Sequence, residues 1–133
     1  MRKFVSSQTG ILLRRFASQV SRTAKEGDAE AIHNLRVSIR RLRRCLQVFS
    51  AFYPGRSWKK IRRRLADLMD AAGEVRDRDI ALEMLAAAGI SPRAAVVMQL
   101  EGERRQAGRT LQVDLDRWKE RDFARKWRKE LEV

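Results

Sequence analysis

The chain has 133 residues, 44% of them apolar, which fits a single domain with a real core and excludes a disordered tail. Against 17 Asp and Glu stand 30 Lys and Arg, a formal charge of +13 whose self-repulsion is usually maintained for a polyanionic partner. A single cysteine excludes an internal disulfide framework, and no apolar run nears the ~18 residues that would cross a bilayer.

Phe4, Leu12, Phe16, Val20 and Ala24 recur at helical spacing and predict a first helix over about 2–26, ended by Gly27 with Asp28 poised to cap the next. No secretory signal is evident in this stretch, because Arg14 and Arg15 interrupt its apolar run. A second helix is expected over about 28–53, stopped by Pro54-Gly55. Cys45, next to Leu46, reads as a small core residue of that helix.

Ser57 is the expected cap of a third helix with an apolar stripe of Trp58, Ile61, Leu65, Leu68 and Met69. Val75, Ile80 and Leu82 prolong the pattern through Gly73 to about Ala88. After Gly89, Ser91-Pro92 predicts the start of a fourth helix running to about Glu120, and Asp122 is placed to cap a last short one holding Phe123 and Trp127. No segment alternates with period two, so no sheet is expected. The economical architecture is all-α: an up-down four-helix bundle with an extra short C-terminal helix, residues 1–133 forming one bundle.

The charge is concentrated. Between Ala31 and Ala66 lie eleven Arg or Lys, nine of them Arg, and no Asp or Glu. At ~100° per residue the second helix separates into an apolar seam of Ile32, Leu35, Ile39, Leu42, Leu46 and Phe49 and an opposite face of His33, Arg36, Arg40, Arg44 and Gln47, with Arg41 and Arg43 on the flanks. Cations four residues apart rise ~6 Å, a spacing suited to an extended anion, and Arg favours forked phosphate contacts over the point charge of Lys. The third helix repeats the theme with Arg56, Lys59, Lys60, Arg62, Arg63 and Arg64, so the two helices are expected to wall one basic groove. Arg76 is expected to reach the same ligand, while Asp77 or Asp79 either pairs with second-helix arginines and orients them or forms only a surface salt bridge. His33 either donates to a phosphate oxygen or fixes the turn between the first two helices. A lone His gives no metal site, and sequence-adjacent carboxylates on a helix diverge, so neither a metal, a cofactor nor catalysis is expected.

HNLRVSIRRLRR followed by RRRLADLMDAAGEVRDRDIALEML resembles the first half of a CHAD domain, the conserved histidine α-helical domain. The resemblance rests on His33, Arg36, Arg40, Arg41 and Arg43, then on Gly73, Val75, Arg76, Asp77 and Asp79. It implies two similar four-helix bundles and affinity for inorganic polyphosphate, in the cytoplasm and in association with polyphosphate granules. This chain supplies one bundle, so pairing with a second copy is expected; Trp118, Phe123 and Trp127 either offer apolar surface for it or complete the chain's own core. Charge alone leaves two other partners open: a nucleic acid, or an acidic protein or membrane surface bound without insertion.

Overall fold

In the computed structural model, which describes Met1–Val133, five α-helices follow one another without a strand. They are α1 (Arg2–Glu26), α2 (Ala29–Val48), α3 (Ser57–Ala87), α4 (Ala95–Glu120) and α5 (Phe123–Leu131). The first four close a square: α1 packs on α2 and α4, and α3 packs on α2 and α4, while α5 lies across α3 and α1. Each helix turns its apolar stripe inward, so that Leu13, Phe16, Ile39, Leu65 and Leu115 are fully buried in one core.

The turns explain the boundaries. Gly27 ends α1 in the left-handed region at φ 63°, where a side chain would run into Gln112 of α4, and the Asp28 carboxylate accepts from the Ala31 amide at 2.8 Å. The second helix stops as an α-helix at Val48, earlier than its sequence suggests. A 3-10 turn over Ser50–Phe52 then brings Tyr53 into the core. There the Tyr53 hydroxyl meets Thr9 Oγ1 at 2.8 Å, with Cys45 Sγ 3.6 Å away, and burial pushes the phenol well above its usual range.

Three expected caps are corrected. Ser57 is the first helical residue rather than the cap, Arg56 standing before it without a side-chain bond. Ser91-Pro92 forms a turn in which Ser91 Oγ accepts from the Arg93 amide, and α4 begins only at Ala95. Asp122 adopts φ 47° and its side chain caps nothing, because the chain reverses there to fold α5 back onto the bundle.

That reversal also corrects the expected apolar surface. Trp118, Phe123 and Trp127 are all buried, gathered on Phe16 with ring centroids 5.3 to 6.0 Å away, so they complete this chain's own core. Half of the ten exposed large apolar side chains, Ile80, Met84, Ile90, Val96 and Met98, lie on the hairpin of α3 and α4. Arg104 marks the base of that hairpin. It reaches the Gly27 carbonyl at 2.8 Å and Asp79 Oδ1 at 3.0 Å, tying α4 to both the α1–α2 turn and α3. Beyond Asp79 the third helix runs on to Ala87, roughly 12 Å past the turn.

Candidate functional site

The arginine face of α2 forms because its apolar seam is fully consumed by the core, which leaves every other direction to the cations. His33, Arg40, Arg41 and Arg44 are exposed, and Arg36 and Arg43 are half-buried. Arg36 and Arg43 lie seven residues apart and so share the flank turned to α3, whereas Arg41 lies on the opposite flank. There Arg41 joins Arg15, Ser18, Gln19 and Asn34 in a shallow groove between α1 and α2.

None of these arginines forms an ion pair. The carboxylates that do pair are taken by Arg22, Arg76, Arg78 and Arg104. In addition, Nε of Arg36 and Nε of Arg43 are buried without a hydrogen-bond partner. A buried donor left unpaired costs about 1–3 kcal/mol, so the α3 flank of α2 carries donor capacity that the fold itself does not use.

The two sequence motifs meet at one contact. A methyl group at Gly73 of α3 would lie 3.9 Å from Arg36 Nη2, so the guanidinium rests beside the bare backbone of that residue. With antiparallel helices rising 1.5 Å per residue, this contact sets Arg76 level with His33 and Arg62 level with Gln47. Arg62 and Arg76, about four turns apart, share the α2-facing flank of α3, and both are half-buried. Arg76 also lies 4.0 Å from Glu83. Lys59 is exposed near this flank, its Nζ 5.6 Å from the Trp58 ring centroid. Farther along, the outer crest of α3 turns acidic with Asp67, Asp70, Glu74 and Asp77, all exposed.

The remaining third-helix cations do not wall this groove. Lys60 and Arg64 face away from α2 and line a separate cleft with Arg63 and with Lys126, Trp127 and Glu130 of α5. Arg64 is held there by stacking, its Cζ 4.4 Å from the Trp118 ring centroid and 5.8 Å from that of Trp127. Such contacts contribute about 0.5–2 kcal/mol each.

The carboxylates also depart from expectation. Asp79 pairs with Arg104 of α4 and not with an α2 arginine, because the side of α3 it occupies faces α4; its second oxygen is buried and unpartnered. Asp77 is exposed and makes no ion pair. Its neighbour Arg78 reaches Glu74 at 2.6 Å and Glu103 at 3.3 Å, and these bonds raise its already high pKa.

Sequence reasoning counted Arg62 among the third-helix cations but passed over its alignment with Arg76, although their four-turn spacing on one helix face was a usable signal. It also passed over Lys126, whose approach to α3 depends on the fold-back at Asp122 and leaves no trace in local spacing. The family model described as CHAD domain matches residues 10–132. No curated protein and no solved structure matches the chain.

Proposed function

The chain belongs to the CHAD domain family, which is associated with polyphosphate binding, and we propose that it binds inorganic polyphosphate along the α2–α3 face. The observation that carries this reading is the row of α2 arginines with no carboxylate partner, two of them with a buried donor left over. Arg36, Arg40 and Arg44 recur every four residues and Arg43 flanks them, so a repeating anion laid along α2 meets a guanidinium about every 6 Å. Arg62 and Arg76 border the same groove from α3, and Lys59 extends it over the crest. Forked guanidinium donors suit phosphoryl oxygens, and His33 at the start of the row adds an imidazole N–H. Arg41 supplies a further cation on the α1 side.

An empty face of like charges repels itself, so a bound polyanion stabilises the folded chain as well as occupying it. The deciding experiment is competition among long-chain polyphosphate, duplex DNA, single-stranded RNA and acidic vesicles at one salt concentration, with the full chain. Polyphosphate is expected to displace the others, with affinity falling steeply as salt rises. Equal or tighter binding of a nucleic acid under matched conditions refutes the assignment. Replacing Arg36 and Arg40 by Ala is expected to weaken long-chain binding by a few kcal/mol at most, at about 1.5–3 kcal/mol per charge-assisted contact, with the helical content unchanged.

A further inference from the structure

On the side of α3 turned away from α2, its first turns and α5 enclose a cleft of about 350 Å³. Lys60, Arg63, Arg64 and Lys126 wall it, Glu130 stands among them and Trp127 forms the floor. We propose that this cleft is a second anion site, which takes a compact oligophosphate such as pyrophosphate or tripolyphosphate.

Charge is the first argument. Four cations face a single carboxylate, and Glu130 forms no ion pair with any of them, so the protein leaves the positive charge of the cleft uncancelled. Geometry is the second. Arg64 lies over Trp118 and near Trp127, whose rings are buried in the core, so its guanidinium is anchored on a rigid aromatic support. Its N–H donors are not spent on the protein, because Arg64 forms no hydrogen bond or ion pair within the fold. A donor fork that is already immobilised loses little freedom on binding, which is the condition for a specific anion site rather than a diffuse basic surface.

Size and lining then select the ligand. The volume lies at the small end of the roughly 300–1,000 Å³ range of small-molecule pockets, which suits a compact anion. Trp127 is only 2% exposed, so no aromatic face is offered to a nucleobase, and the recognisable part of the ligand is its phosphoryl groups. Binding here also has a structural consequence, since α5 has nine residues and is too short to be helical by itself. An anion held between Lys60 or Arg64 and Lys126 ties α5 to α3.

The inference stands on these residues alone and does not rest on the polyphosphate reading of the α2–α3 groove. Its test is calorimetric titration of the full chain with tripolyphosphate at one salt concentration, with tryptophan emission followed in parallel. Three proteins are compared: the wild type, Lys60→Gln with Lys126→Gln, and Arg14→Gln with Arg105→Gln as a charge-matched control on exposed positions elsewhere. The wild type and the control are expected to bind within about twofold of each other and to change their emission. The cleft variant is expected to lose at least tenfold in affinity together with the emission change. Absence of wild-type binding, a cleft variant that binds as well as wild type, or equal losses in both variants would each overturn the site. Long-chain binding by the Arg36 and Arg40 variant reports separately on the α2–α3 groove, so the two ideas fail independently.

Discussion

Gly73→Ala separates what the glycine does for the helix from what it does for Arg36. The third helix runs unbroken from Ser57 to Ala87, so Gly73 occupies a helix interior and has no turn to serve there. Alanine is favoured over glycine in such a position by about 0.8–1.0 kcal/mol, largely through the lower entropy of the unfolded chain. The new methyl group would lie 3.9 Å from Arg36 Nη2, an ordinary contact distance that adds no strain to offset the gain. For a domain of this size that corresponds to a rise in Tm of about 3–5 °C. Thermal unfolding by circular dichroism measures it, and polyphosphate affinity is expected to stay within about twofold of wild type. Gly73→Leu makes the complementary case. Its side chain needs the space beside that methyl where the guanidinium now rests, so long-chain binding is expected to weaken about tenfold, or ~1.4 kcal/mol. A Gly73→Ala protein less stable than wild type, or a Gly73→Leu protein that binds normally, would refute the placement of Arg36 against α3.

Trp127→Ala removes the ring that stacks on Phe16 and is expected to cost about 3–5 kcal/mol, measured by urea unfolding, with loss of the α5 contribution to helicity. Asp79→Ala leaves the half-buried Arg104 without its carboxylate and is expected to cost about 1–3 kcal/mol; an unchanged urea midpoint would mean that the bridge behaves as a surface pair. Tyr53 is the chain's one tyrosine, and burial raises its pKa, so folding favours its neutral form. The resulting stability is complete below about pH 10, where the unfolded phenol ionises, and declines above it. Phenolate absorbance is therefore expected to appear together with unfolding, and a normal titration in a still-helical protein would contradict the buried contact with Thr9.

The helices were legible because their apolar residues recur at 3.6-residue spacing and because Gly27, Gly55 and Gly89 all take positive φ at turns. The α2 face was legible for the same reason: angle around one helix is a local property. What could not be read was anything requiring two helices in register. Lys60 and Arg64 carry the same charge as Arg62, yet the packing of α5 sends them into a different cleft. Asp79 finds Arg104, a partner 25 positions away, through the α3–α4 contact. Trp118, Phe123 and Trp127 suggested excess surface because their burial depends on the reversal at Asp122, where a non-glycine residue adopts a left-handed conformation that no spacing announces.

The hairpin beyond Asp79 gives the molecule an electrical polarity. From Asp77 to Glu103 there are five acids and two arginines, so the rest of the chain holds 28 cations against 12 acids. The tip reaches roughly 12 Å past the α1–α2 turn, farther than the ~8 Å screening length at physiological salt, so its negative charge does little to neutralise the basic body. A polyanion approaching in solution therefore exerts a torque before it touches, turning the hairpin outward and the α2 face inward. Fewer encounters are wasted on the wrong orientation, and the Ile80, Met84 and Met98 side chains stay directed at solvent while the ligand is captured on the other end.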